Sequence, residues 1–357
     1  MKHCVGLAFI VFVSIGLTAC GGSGGSSSSL VPHSGAGSNA SALPTPTPAP
    51  YYTMYLAGDV APSNAGQVLE FSTTQLTTGN AVAPMNVLTD GAGNTSVAGL
   101  AAGPSFSLYV AYQQPNPNIA VYQAHVSGTL PPARTIDADG RWATIDSIAV
   151  APDGTLYVLA APSGCDVPTE ILAFSATASG NDAAIREITG SNTGLGHGAG
   201  EITVGYDGTL YFADETQNKV FSYAPGASGN VSPETVLGGS ATMLNAPTSI
   251  AITPGGMIAV WNYNTQTATE YPLNSTGNVA PSITWSSPSS GDQARFMAVD
   301  SSGYFFVYMH TPETDPSFDH RIAVFPPNVS GSNVSFLYVL QFINSQGLFT
   351  AKALAVH

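Results

Sequence analysis

The sequence predicts an all-β protein made of six four-stranded antiparallel units, and three observations predict it. An aromatic residue is followed six positions later by glycine at Tyr122/Gly128, Phe174/Gly180, Tyr223/Gly229, Tyr271/Gly277 and Phe325/Gly331, and by a spacing stretched by two at Phe71/Gly79. Those aromatics stand 51, 52, 49, 48 and 54 residues apart, the near-constant period of a repeat architecture. Of 357 residues, 44% are hydrophobic and 8% charged, with 38 Gly and 26 Pro, which suits a packed core of short strands joined by many turns.

The chain opens with MKHCVGLAFIVFVSIGLTAC, a basic start at Lys2, an apolar run from Val5 to Leu17 and a small-residue exit, the three parts of an export signal. The run is too short for a permanent membrane span. Leu17-Thr18-Ala19-Cys20 resembles the lipobox of bacterial lipoproteins, which implies a signal peptide over residues 1–19 and a lipidated Cys20 as the first mature residue. The following GGSGGSSSS is a flexible tether and PTPTPAP at 44–50 a stiffer spacer, so residues 20–50 hold a domain away from a membrane. The resemblance also implies an outer-membrane destination in a cell with two membranes, because Gly21 stands where Asp would favour inner-membrane retention.

Formal charge is −14, and −15 once Lys2 leaves with the signal, which disfavours nucleic acid as a partner. Of three cysteines, Cys4 lies in the signal and Cys20 carries the lipid, leaving Cys165 alone with no internal disulfide. Asn94 and Asn274 begin glycosylation-like triplets, which in an exported bacterial chain read as loop composition.

Within residues 51–357 the unit opens with a short apolar strand, SIAVA at 147, EITVG at 201, SIAIT at 249 and FMAVD at 296. A glycine turn follows each (PDG at 152, YDG at 206, PGG at 254, SSG at 301), where glycine supplies the positive φ of a tight hairpin. The second strand is LYVLA at 156, LYFAD at 210, MIAVW at 257 or YFFVY at 304. The third ends on the repeated aromatic, as in ILAF at 171 and KVFSY at 219, and after the glycine turn a fourth closes the unit, as in AAIREIT at 183. On this reading the aromatic packs between neighbouring sheets and the glycine lets the chain turn into the outermost strand.

One such sheet cannot bury both faces, whereas six arranged radially cover one another, which is the β-propeller solution. The ends of the chain support closure: the domain begins at Tyr51 with a second strand lacking its first, and ALAVH at 353–357 is a first strand lacking its second. The expectation is a six-bladed β-propeller with blade one closed by the C-terminal strand. The unit ITVGYDGTLYFADETQNKVFSY resembles the NHL-repeat family through Gly208, Tyr211, Ala213, Asp214, Asn218, Val220 and Phe221. The family's Asp after the first strand is present as Asp300 but replaced by Ala151, Gly205 and Thr253. The resemblance implies a propeller that binds partners, and no reaction.

Function is expected on the face opposite the glycine turns, where connections are uneven, ADETQN at 213–218 against YMHTPETDPSFDH at 308–320. Aligning the first strands puts Asp146, Gly200, Thr248, Arg295 and Lys352 at one level around the channel mouth, with Glu201 one residue deeper and able to pair with Asp146. Arg295 and Lys352 disfavour a divalent-cation site there. His197, in GLGHGAGE, is a candidate general base. The cluster His310, Glu313, Asp315, Asp319 and His320 has no recognised metal spacing and reads as a solvated acidic loop. Trp142, Trp261, Tyr263 and Phe349 form either a stacking surface or packing between blades. Nucleophile elbows, phosphate loops and paired cysteines are missing from the sequence.

The expected function is a lipid-anchored extracytoplasmic binding or scaffold module for a protein or glycan, with Trp142, Asp146, His197, Glu201, Trp261, Arg295, His310 and Lys352 on its ligand-binding face, attached to the membrane through Cys20 and needing no cofactor. The alternative is a gluconolactonase-like metal-dependent hydrolase, or a propeller lyase, working at the channel mouth with Asp146, Glu201 or His197.

Overall fold

Strands form where apolar and β-branched residues alternate between glycine turns, and they pair locally. In the fourth unit Gly200–Val204, Leu210–Asp214, Lys219–Tyr223 and Thr235–Gly238 lie antiparallel in that order. The third unit runs Trp142–Val150, Leu156–Pro162, Glu170–Phe174 and Arg186–Ile188, and the fifth Pro247–Ile252, Met257–Asn262, Thr267–Pro272 and Ile283–Ser286. The sixth runs Gln293–Val299, Phe305–His310, His320–Phe325 and Tyr338–Phe342, and the second Thr95–Gly103, Ser107–Gln114, Asn118–Gln123 and Arg134–Ile136. The structure, a computed structural model, describes residues 53–60, 63–75, 81–104, 107–137, 140–162, 168–287, 293–310, 320–342 and 349–356, all within the unit Pro50–His357.

The first unit is assembled from both ends of this region. Phe349–Val356 pairs antiparallel with Thr53–Val60, which pairs with Ala65–Ser72 and then Asn86–Asp90. It shares one hydrogen-bonded sheet with the second unit through Ala65 opposite Thr95. The innermost strands follow one another around a centre: Thr95–Gly103 contacts Trp142–Val150, and contacts continue through Gly200–Val204, Pro247–Ile252, Gln293–Val299 and Phe349–Val356 back to Thr95–Gly103.

The repeated aromatics sit between units. Phe71 is buried in a cluster with Phe306 and Tyr308, Tyr122 with Tyr55 and Val68, Phe174 with Tyr109 and Ile119, and Tyr223 with Tyr157 and Ile171. Tyr271 packs with Tyr211 and Val220, and Phe325 with Trp261 and Trp285. Each interface therefore holds one copy, and truncating a buried ring of this size typically costs about 3–5 kcal/mol. Three of the tyrosines also anchor the connection entering their own unit. Tyr223 donates to the Thr193 carbonyl at 2.8 Å, Tyr271 to the Thr242 carbonyl, and Tyr122 to the Asp90 carboxylate.

The glycine after each aromatic does more than reverse the chain. Gly128, Gly180, Gly229, Gly277 and Gly331 each form a parallel bridge to the outermost strand of the preceding unit, at Leu88, Ile136, Ile188, Leu237 and Trp285. The outermost strand of the sixth unit pairs in the same sense with Ala81–Val82 of the first, while Gly79 lies outside the described residues. Gly180 donates to the Thr135 carbonyl at 2.6 Å, and Asp137 donates back to the Gly180 carbonyl at 2.8 Å. All five glycines have positive φ, from 56° at Gly180 to 101° at Gly128, and an added Cβ would meet nothing within 4 Å. Backbone angle, not space, requires glycine there.

Candidate functional site

Five of the six innermost strands carry a one-residue bulge at the same level. Pairing skips Ala98, Asp146, Thr248, Arg295 and Lys352, while Gly200 at that level stays paired with Asp214. Of the ring expected from the sequence, Asp146, Thr248, Arg295 and Lys352 are therefore bulge residues and Gly200 is not. A bulge leaves backbone groups unpaired, and here the preceding unit supplies acceptors. Val97 N–H donates to Asp59 Oδ1 at 2.7 Å, Ile145 N–H to Gln113 Oε1 at 3.1 Å, and Ala294 N–H to Gln266 Oε1 at 2.7 Å. The corresponding residue of the fifth unit is Pro247, which has no N–H to satisfy.

Two voids lie along the centre. A small one, about 60 Å³, is lined at the bulge end by Asp146, Gly200, Thr248, Lys352 and Ala98, with Glu201 beneath. A larger one, about 480 Å³, occupies the end nearer the glycine turns, is lined by all six innermost strands and reaches Pro104, Pro152 and Tyr206. Leu100, Ile148 and Glu201 line both. The roomier half of the centre is thus on the turn side, where the sequence reading did not place a site.

Glu201 Oε2 accepts the Ile250 N–H of the next unit at 2.7 Å, and the carboxylate also bonds the Ser249 side chain. Ser147 and Ser249 stand at the same level in their own strands. Ser147 Oγ accepts from Ile202 N–H at 3.2 Å, and Ser249 Oγ from Met297 N–H at 3.1 Å. Glu201, like Ser147 and Ser249, thus ties an innermost strand to its neighbour, and it is directed toward the fifth unit. The pairing with Asp146 anticipated from the sequence is replaced by this contact. Burial pushes the Glu201 carboxyl up to about 7, although its hydrogen bonds to Ser249 and Ile250 pull the other way, and burial pushes Asp146 up to about 6.

Several expected ligand-face residues are placed elsewhere. The Trp142 ring lies in the core, edge-on to Phe174 at 5.7 Å between centroids. Trp261 is fully buried against Trp285, and its Nε1–H donates to the Ala294 carbonyl at 3.0 Å. Both belong to packing between units. Arg295 is exposed, 4.9 Å from the centroid of the Tyr263 ring, and Phe296 takes its expected place at the small void. Lys352 is exposed and lines that void, whereas His197 is exposed and lines neither void. His310 lies tilted beside Tyr308, whose hydroxyl bonds buried His320 Nδ1 at 2.7 Å, and burial with His310 nearby lowers His320 to about 4. Cys20, Cys165, Glu313, Asp315 and Asp319 lie outside the described residues, as does the Phe349 side chain.

Among the described residues, no three His, Cys, Asp or Glu side chains converge as they would around a metal ion. The sequence reading missed Tyr206, 67% exposed yet lining the larger void. Its signal was present, because Pro152, Pro254 and Ser301 hold the same turn position in other units. Also missed was the ion-pair network in which Arg141 donates to Glu170 at 2.7 Å and Glu187 at 2.8 Å. Its partners are 29 and 46 residues from Arg141, and no local pattern announces them.

Neither a protein-family model nor a curated protein matches this chain. Solved structures do. A protein of unknown function from Bacteroides caccae superposes with TM-score 0.56 at 12% identity, covering 86% of this chain and 98% of that one. A putative 6-phosphogluconolactonase from Bacteroides uniformis gives 0.52 at 10%, covering 86% and 99%, and a chain of a nidogen/laminin complex gives 0.50 at 10%, covering 85% and 98%. These likenesses support a β-propeller fold, and at such identities they speak to fold alone.

Proposed function

We propose that this chain is a lipid-anchored, extracytoplasmic six-bladed β-propeller, closed through its C-terminal strand, that serves as a binding or scaffold module for a protein or glycan. Contacts that run around all six innermost strands, the pairing of Phe349–Val356 with Thr53–Val60, and one aromatic cluster per interface support the closed six-bladed reading. The observation that carries the binding role is the use of Glu201. The strongest acid–base candidate serves as a framework acceptor, at a position where Ser147 and Ser249 do the same task. A stiff ring presenting uneven loops is suited to recognition. Residues 1–19 as signal, Cys20 as lipid site and 20–50 as tether rest on the sequence, as does outer-membrane placement.

The test uses the full chain produced in a bacterial host. Detergent phase partitioning should place the native chain in the detergent phase and Cys20→Ser in the aqueous phase, and identical partitioning would remove the anchor. Binding is read by cosedimentation of the purified chain with cell-wall glycan and with outer-membrane protein, saturable binding to either supporting the module.

The alternative reading, a metal-dependent hydrolase or lyase at the mouth, is favoured by one observation: Asp146 and Glu201 line the same small void with carboxyls raised toward neutrality by burial. Mass-spectrometric metal content after exposure to calcium and zinc, with melting curves with and without chelator, decides between them. A stoichiometric ion whose removal lowers the melting point, with lactone hydrolysis lost in Asp146→Asn, would establish the alternative.

A further inference from the structure

The fourth unit departs from its siblings at two positions, and both side chains line the larger void. Where the third and fifth units carry Ser147 and Ser249 it carries Glu201, and where the third, fifth and sixth carry Pro152, Pro254 and Ser301 in the turn it carries Tyr206. The remaining lining is Ala, Val, Ile, Leu, Met, Gly, Pro and Thr, so among the described residues Glu201 is the one acidic or basic side chain facing this cavity. A volume of about 480 Å³ is in the range of small-molecule sites. Serine already satisfies the backbone in sibling strands, so tying one strand to the next does not by itself call for a carboxylate.

We propose that this cavity binds an elongated primary amine, with Glu201 as counter-ion to the ammonium, the aliphatic wall holding its apolar body, and Tyr206 flanking its outer end. Among the described residues no Lys or Arg lines the larger cavity beside this carboxylate, and an ammonium supplies both charge and donors. The Glu201 carboxylate holds the Ile250 N–H and the Ser249 side chain, and a carboxylate has about four acceptor sites, so capacity for an ammonium remains. Glu201 lies on the strand Gly200–Val204 and Tyr206 in the turn beyond it, three strand steps of about 3.3 Å plus the turn, which calls for a ligand longer than it is wide. An exposed tyrosine at the rim offers an apolar or π contact. The acidic chain, with formal charge −14, attracts cations generally.

The other titratable groups near Glu201 do not share its position. Asp146 and Lys352, from the third and first units, line the small void, which Glu201 also borders, and neither lines the larger one. On the strand paired with Glu201, Tyr211 packs toward the fifth unit and Asp214 bonds Thr216 and Gln217. Arg295 of the sixth unit is exposed over Tyr263. An alkylamine stays protonated through neutral pH, so the ionisation of Glu201 sets the pH dependence of binding.

The experiment titrates the full chain in detergent with phenylhexylamine and, separately, its neutral analogue phenylhexanol, by calorimetry at pH 6 and pH 8. Expected is saturable amine binding about tenfold tighter at pH 8 than at pH 6, with the alcohol at least about tenfold weaker than the amine at pH 8. Glu201→Ser, which copies its siblings, and Glu201→Gln should each weaken the amine at least about tenfold and abolish the pH dependence, and Tyr206→Ser should weaken it several-fold. The proposal is overturned if the alcohol binds as tightly as the amine, if Glu201→Gln leaves amine affinity or its pH dependence unchanged, or if nothing saturates by about 10 mM. The comparison of amine with alcohol on the unaltered chain holds even if a variant fails to fold.

Discussion

The Ile250 N–H donates to Glu201 Oε2 at 2.7 Å across the seam between the fourth and fifth units, in register with the Ser147–Ile202 and Ser249–Met297 contacts of neighbouring seams. Adjacent innermost strands of these units share no backbone ladder, so side chains at this level carry the hydrogen bonding from one to the next. That relationship makes Glu201 a titratable framework group.

Its folded-state carboxyl, near 7, lies above its ordinary value of 4.5, because burial disfavours the charged form. The folded chain therefore holds a proton that the unfolded chain releases between those values, so the stability tied to this group is fully present below pH 4.5 and lost as pH rises through 7. The expected loss is at most about 3 kcal/mol, reduced by water in the channel. Urea unfolding of wild type and Glu201→Gln from pH 4.5 to 8 should show a descending slope in wild type that is flatter in the variant. Parallel curves would show that Glu201 does not titrate in this window.

Arg141 bridges Glu170, whose side chain is 3% exposed, and the more open Glu187. Arg141→Ala leaves a buried carboxylate without its cation and should destabilise the fold by about 3 kcal/mol, with Arg141→Ala/Glu170→Gln recovering part of the loss. The hydrogen bonds from Arg141 hold Glu187 below its ordinary value, so its share of stability is present above about pH 4.5 and lost as pH falls through the folded value. Chemical denaturation of the single and double variants measures both.

The glycine bridges between units should separate by backbone angle. Gly180, at φ 56°, lies in the left-handed region that asparagine tolerates, whereas Gly331 lies at φ 98°. Gly180→Asn should fall within about 0.5 kcal/mol of wild type, and Gly331→Asn should cost about 1–2 kcal/mol. Since a Cβ meets nothing at either site, equal costs would show that the bridge relaxes around its angle.

Deleting residues 350–357 removes most of the strand paired with Thr53–Val60 and exposes Met54, Leu56 and Leu354's partners in the cluster shared with Phe306. The melting midpoint should fall by more than about 10 °C, or the chain should lose solubility. An unchanged midpoint would refute closure through the C-terminal strand.

The sequence by itself determined the strands, their order, the aromatic at each seam and the pairing of the two ends of residues 51–357, because antiparallel hairpins and alternating burial are local properties written in neighbouring residues. It also placed Asp146, Thr248, Arg295 and Lys352 at one level. Only the tertiary structure decided which of these face the centre. A one-residue bulge reverses the alternation that sequence reasoning assumes, which leaves Arg295 over Tyr263 and brings Phe296 to the small void, and Trp142 packs in the core. The direction of Glu201, the Arg141 network and the void beside Tyr206 depend on how units rotate against one another across distances of 29 to 49 residues, and no short stretch of chain records that rotation.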